Sequence, residues 1–143
     1  MNGTKSCLRI ASLAVAASWF TGPSARADAV TDWNFKAGEI VSEAKLGAPP
    51  ANRVLAIVHT AVYEAVNAVT QRYPPAGLKL KAAPGASVDA AIAAASRDTL
   101  AKLVPSQHPP IEAAYRAALA RIADGPAKDD GVGPIGLPGE LLA

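Results

Sequence analysis

From Asp32 onward the apolar residues of this chain recur at helical spacing, in four runs bounded by proline, glycine or capping residues. The first runs from about Asp32 to Ala44, with Trp33, Ala37, Ile40, Val41 and Ala44 on one stripe. Thr31 or Asp32 is placed to cap its start, and Gly47 with Pro49 and Pro50 to stop it. The second spans about Ala51 to Arg72. At about 100° per residue, Val54, Leu55, Ile57, Val58, Ala61, Val62, Ala65, Val66, Ala68 and Val69 fall within about half the circumference. Arg53, Thr60, Glu64, Asn67 and Gln71 fall on the opposite face. So wide an apolar arc predicts a central helix that touches more than one neighbour.

A connecting stretch follows, in which Leu78 and Leu80 alternate with Lys79 and Lys81 and a short extended segment fits. The third helix begins at a Ser87 cap, buries Val88, Ile92, Ala95, Thr99 and Leu103, and ends before Pro105. The fourth opens after Pro109-Pro110 and lines its inner face with Ile111, Tyr115, Ala118, Leu119 and Ile122. Asp124-Gly125-Pro126 reads as its terminator, with Gly125 suited to a left-handed cap. From Asp129 to Gly139, four glycines and two prolines in eleven residues argue against any regular element. The expected fold is all-α, about four amphipathic helices in an incomplete bundle. Thirty-three alanines and few aromatics agree with that class.

The N-terminus changes the charge arithmetic. Lys5 and Arg9 precede an uncharged, mostly apolar run of eleven residues, Ile10 to Phe20, and Ala25-Arg26-Ala27 places small residues where a signal peptidase inspects them. Residues 1–27 are therefore expected to be a signal peptide. Eleven residues are too few for a membrane span, which needs about 20. The full chain carries 14 basic and 12 acidic residues, net +2. Cleavage would remove Lys5, Arg9 and Arg26, leaving 116 residues at 11 minus 12, or −1, and no cysteine. A disulfide framework or cysteine-based zinc site is thereby excluded, and a clustered basic surplus for nucleic acid is not present. The expected organisation is signal peptide 1–27, helical region 28–128 and a Gly/Pro-rich irregular tail 129–143. Alanine-rich helices with few aromatics bury modest area, so marginal stability or self-association through apolar helix faces is expected.

Candidate chemistry is sparse. His59, Tyr63 and Asn67 recur every four residues at the border of the second helix's apolar arc. They can orient a ligand, or they can form a hydrogen-bonded set that fixes packing, and the second reading is preferred because buried polar groups must be paired. Ser106 and His108 in Pro105-Ser106-Gln107-His108 suggest a nucleophile or anion site, but the setting is a helix end, a turn and the next helix start. Ser96-Arg97 reads as a solvated helix edge and Glu39 with Glu43 as a surface pair; Trp33 and Phe35 are candidate ligand contacts, though Trp33, on the apolar stripe, is better placed for core or interface. No catalytic, cofactor-binding or metal-binding residue is assigned, and neither nucleic acid nor, after cleavage, membrane is expected as a partner.

Several segments together carry a resemblance. They are Ala29-Val30-Thr31-Asp32-Trp33-Asn34, the run from Arg53 to Ala68 (RVLAIVHTAVYEAVNA), Pro84-Gly85-Ala86-Ser87, Leu103-Val104-Pro105-Ser106-Gln107 and Asp124-Gly125-Pro126-Ala127-Lys128. In that order they resemble the N-terminal region of secreted bacterial proteins related to vanadium-dependent haloperoxidases, members of the type-2 phosphatidic-acid-phosphatase superfamily. The resemblance covers roughly Ala29 to Lys128, and its most specific part is the Ala56–Val69 stretch. It implies a mainly helical, longer parent that performs halide peroxidation or phosphate-monoester hydrolysis.

Catalysis in that family rests on a Lys followed by Arg-Pro, a Pro-Ser-Gly-His segment, and a Ser-Arg leading to His and Asp. These groups surround a vanadate or phosphate anion with cationic and hydrogen-bond donors. This chain carries none of the three. Gln107 stands where glycine would let backbone approach the anion, and Ser96-Arg97 precedes Pro105-Ser106 where the family's order is the reverse. The expectation is a truncated or frame-shifted N-terminal fragment, catalytically silent by itself, with any vanadate or phosphate site confined to a full-length relative. The alternative is a small secreted helical binding module.

Overall fold

The computed structural model describes residues 28–75 and 80–132. Among them there are five α-helices and no strand: α1 (Ala29–Glu43), α2 (Ala48–Thr70), α3 (Val88–Leu103), α4 (His108–Leu119) and α5 (Pro126–Val132), with a 3₁₀ turn at Pro105–Gln107 before α4. The fold is all-α, as the periodicity predicts, with one helix more than the pattern shows. The expected signal peptide and residues 133–143 of the expected tail lie outside the described residues, as do Leu78 and Lys79 of the alternating stretch.

Helix boundaries follow capping chemistry. α1 begins three residues earlier than expected, because Asp28 and not Thr31 or Asp32 is the cap. Its carboxylate accepts from the Thr31 N–H at 2.8 Å. That same bond holds the Asp28 carboxyl below its ordinary range. Pro49 and Pro50, expected to stop the first helix, instead occupy the first turn of α2, where a missing N–H is harmless. The Ser87 cap is present, its hydroxyl accepting from the Ala90 N–H at 3.3 Å. Pro109 and Pro110 likewise fall in the opening turn of α4.

α2 touches both α1 and α3, as its wide apolar arc predicts, but the helix at the centre is α3 and not α2. α3 packs against α1, α2, α4 and α5, and Ala90 to Ser96 are buried without a break. Alanine explains this: a side chain of one carbon lets neighbours approach every face of the helix. Around it the core holds Trp33, Ile40 and Val41 from α1, Val54, Val58 and Val62 from α2, Leu100 from α3 and Ile111 from α4.

α5 corrects the reading of Asp124-Gly125-Pro126 as a terminator and of Asp129 onward as irregular. Gly125, at φ +148, starts α5, its carbonyl accepting from the Lys128 and Asp129 N–H groups at 3.0 and 3.2 Å. Seven residues rarely hold a helix alone. Here the Ser87 N–H donates to the Ala127 carbonyl at 2.7 Å. Gly131 lies so close to α3 that a Cβ on it would sit 2.6 Å from the Ser87 carbonyl oxygen and 2.7 Å from the Ala90 Cβ. The glycine read as a helix breaker is what permits the docking.

Candidate functional site

The His59, Tyr63, Asn67 set divides on folding. His59 is exposed. Tyr63, also exposed, donates from its hydroxyl to the Pro74 carbonyl at 3.3 Å. Asn67 is buried, and its amide clamps one residue at both ends: Nδ2 donates to the Tyr73 carbonyl at 2.8 Å and Oδ1 accepts from the Tyr73 N–H at 2.9 Å. Two of the three side chains thus fix the loop leaving α2, in the packing role preferred from the sequence. The clamp holds a tight exit, since Gln71 caps α2 at φ +50, a left-handed conformation disfavoured for a residue with a Cβ.

The remaining candidates do not converge. Ser106 and His108 are both exposed, in the 3₁₀ turn and at the start of α4. His108 Nε2 stands 3.8 Å from Glu112 Oε1. Trp33 is core, whereas Phe35 is 69% exposed. Glu39 pairs with Lys36, and Glu43 is exposed. Among the described residues no group of three or more His, Cys, Asp or Glu is placed to hold a metal ion. Nor is any helix there long and apolar enough to cross a membrane.

Ser96-Arg97 is not a solvated edge. Ser96 is fully buried, and Arg97 binds across the α3–α4 contact. Its Nε donates to Glu112 Oε1 at 2.5 Å, its Nη1 to Asp98 Oδ1 at 2.8 Å, and its guanidinium carbon lies 5.4 Å from the Tyr115 ring centroid. The Glu112 bond first, then the Asp98 bond, raise the Arg97 pKa above its ordinary value. Burial raises the Tyr115 phenol, against the opposing charge of Arg97.

The largest departure from the sequence reading is Glu64. Placed on the polar face of α2 by its periodicity, it is 2% exposed. Tyr73, Leu80 and Ala82, from the chain between α2 and α3, line a cavity with it, which a single-helix projection cannot show. Its Oε1 has no hydrogen-bond partner among the described residues, nor do the buried Ser96 Oγ and Thr99 Oγ1. Glu64 also forms part of the wall of a cavity of about 540 Å³, shared with Ala68, Tyr73, Leu80 and Ala82. The sequence signal for this site is weak: Glu64 lies next to the edge of the apolar arc, four residues before Ala68.

No family model, curated protein or solved structure matches this chain.

Proposed function

We propose that this chain is the helical N-terminal region of a secreted or periplasmic protein related to the vanadium-dependent haloperoxidases of the type-2 phosphatidic-acid-phosphatase superfamily. In this reading it is a scaffold that performs no catalysis by itself. The parent reaction is halide peroxidation or phosphate-monoester hydrolysis, and the partner is the catalytic half that carries the three anion-binding motifs. The observation that carries the reading is the use made of the most family-like segment. Val54, Val58 and Val62 from it are core, and Tyr63 and Asn67 tie down the chain's own backbone at Pro74 and Tyr73. The residues behind the resemblance therefore do architectural work, as a scaffold requires.

Two measurements test it. DNA downstream of this coding sequence is expected to encode Lys with Arg-Pro, Pro-Ser-Gly-His and Ser-Arg with His in one frame or another. Their absence from every frame would overturn the split-enzyme reading. The purified chain is expected to show neither bromide peroxidation with vanadate nor phosphatase turnover. Reproducible turnover that survives replacing His59 and His108 together would contradict the proposed division of labour.

A second reading, a small helical binding module, is favoured by one observation. Phe35 projects beside a groove of about 300 Å³ between α1 and α4, lined also by Trp33, Ala114 and Ala118. Self-association or a partner protein would cover that groove. Sedimentation of wild type against Phe35→Ser separates the readings, since only the binding-module reading makes assembly depend on Phe35.

A further inference from the structure

We infer that the cavity beside the C-terminal half of α2 is a binding site for a primary alkylammonium, with Glu64 as the counter-charge. A carboxylate withdrawn from water costs several kcal/mol (roughly, as an effective penalty) unless a cation or hydrogen-bond donors compensate it. Glu64 is 2% exposed and its Oε1 has no donor. The neighbouring Asn67 directs its amide to the Tyr73 backbone and not to Glu64 Oε1. The cavity, whose wall Glu64 shares, is the route by which a compensating group from outside reaches it.

The chemistry of that wall selects the ligand. At about 540 Å³ the cavity falls in the range that accepts small organic molecules, roughly 300–1,000 Å³. Ala68, Tyr73, Leu80 and Ala82 offer apolar contact to a hydrocarbon body. One carboxylate is too few for a divalent metal, which takes six or more oxygen ligands in the case of calcium. An ammonium head is a compact charge with three donors and suits a single acidic partner, whereas a guanidinium fork prefers a bidentate one. Lys81 also lines the cavity, on its exposed side, and among the described lining residues it is the cation that can compete for Glu64.

The test titrates the purified full chain with n-butylammonium chloride, followed by NMR. Saturable shifts are expected at Ala68, Tyr73 and Ala82, with none from butan-1-ol or butyrate at equal concentration. Glu64→Gln should weaken binding at least tenfold, equivalent to about 1.4 kcal/mol. Ala82→Leu should block it sterically while leaving the carboxylate in place, which keeps the inference testable if Glu64→Gln folds poorly. Lys81→Met should leave binding equal or tighter. The inference is overturned by the absence of saturable binding to wild type, by equal binding of butan-1-ol, or by binding that ignores both Glu64→Gln and Ala82→Leu. It is also overturned if binding arises only after Lys81→Met, because Lys81 would then be the compensating group.

Discussion

At the α3–α4 contact, Arg97 meets Glu112, Asp98 and the ring of Tyr115, while under the loop that leaves α2, Glu64 meets no donor. Both regions draw charge into a small helical bundle. In the first, the charges are half-exposed and mutually paired, and the arrangement explains itself as a clasp between two helices. In the second, a more deeply buried carboxylate borders a cavity, and its Oε1 has no hydrogen-bond partner among the described residues. A paired polar cluster is accounted for by architecture; an unpaired one calls for a ligand.

Substitutions in each region should have distinct consequences. The largest effect is expected from Asn67→Ala, which removes both hydrogen bonds to the Tyr73 backbone and loosens the wall of the cavity. A loss of about 2–3 kcal/mol follows from two bonds at about 1 kcal/mol each and the polar backbone groups left without partners. Urea unfolding measures it, and a loss within about 0.5 kcal/mol would show that the loop holds without its clamp. Next, Glu64→Met should stabilise the chain by roughly 1–2 kcal/mol, because it relieves a buried carboxylate whose Oε1 has no partner among the described residues. A clear loss of stability would mean that Glu64 has a partner and that the contrast fails. Arg97→Met should cost about 1 kcal/mol, since the cluster is partly exposed and screened by solvent. Salt should shrink that difference, and indifference to salt would argue against a charge clasp.

The smallest expected effect is a pH dependence at Tyr115. Burial raises its phenol above the ordinary value of about 10. Between the unfolded pKa and the higher folded one, the native chain holds a proton that the unfolded chain has released. Its contribution is therefore complete below about pH 10 and is lost as pH rises through the folded pKa. Urea midpoints measured upward from pH 8 should fall at the alkaline end, and Tyr115→Phe should remove that part of the fall. An unchanged alkaline slope in the variant would assign it to other groups.

The stripe of Trp33, Ile40 and Val41, the Ser87 cap and the four long helices were all legible in the sequence, because periodicity and capping are properties of one segment at a time. Glu64, Arg97 and α5 were not legible for the same reason. Each owes its state to residues beyond its own helix: Leu80 and Ala82 across the cavity from Glu64, Glu112 fifteen residues from Arg97, and the Ser87 region beneath Gly131. Gly131 shows the reversal most clearly. Locally it is a helix breaker, yet in the fold it is the residue whose lack of a side chain lets a short helix form. Of the candidate site, Asn67 and Tyr63 were visible as a spaced polar set, but the vacant-side partner of that set, Glu64, was read as solvent-facing.

The unbroken burial of Ala90 to Ala95 inverts the usual map of tolerance to substitution. In most cores the large side chains are the ones that cannot be shortened. Here the small ones cannot be lengthened, since this stretch of α3 is buried on all its faces and added methylenes in a packed core cost about 1–3 kcal/mol. A library of alanine-to-valine changes along α3 would trace the bundle's four contacts as a continuous spiral of damage, with no solvent-facing position to interrupt it between Ala90 and Ala95.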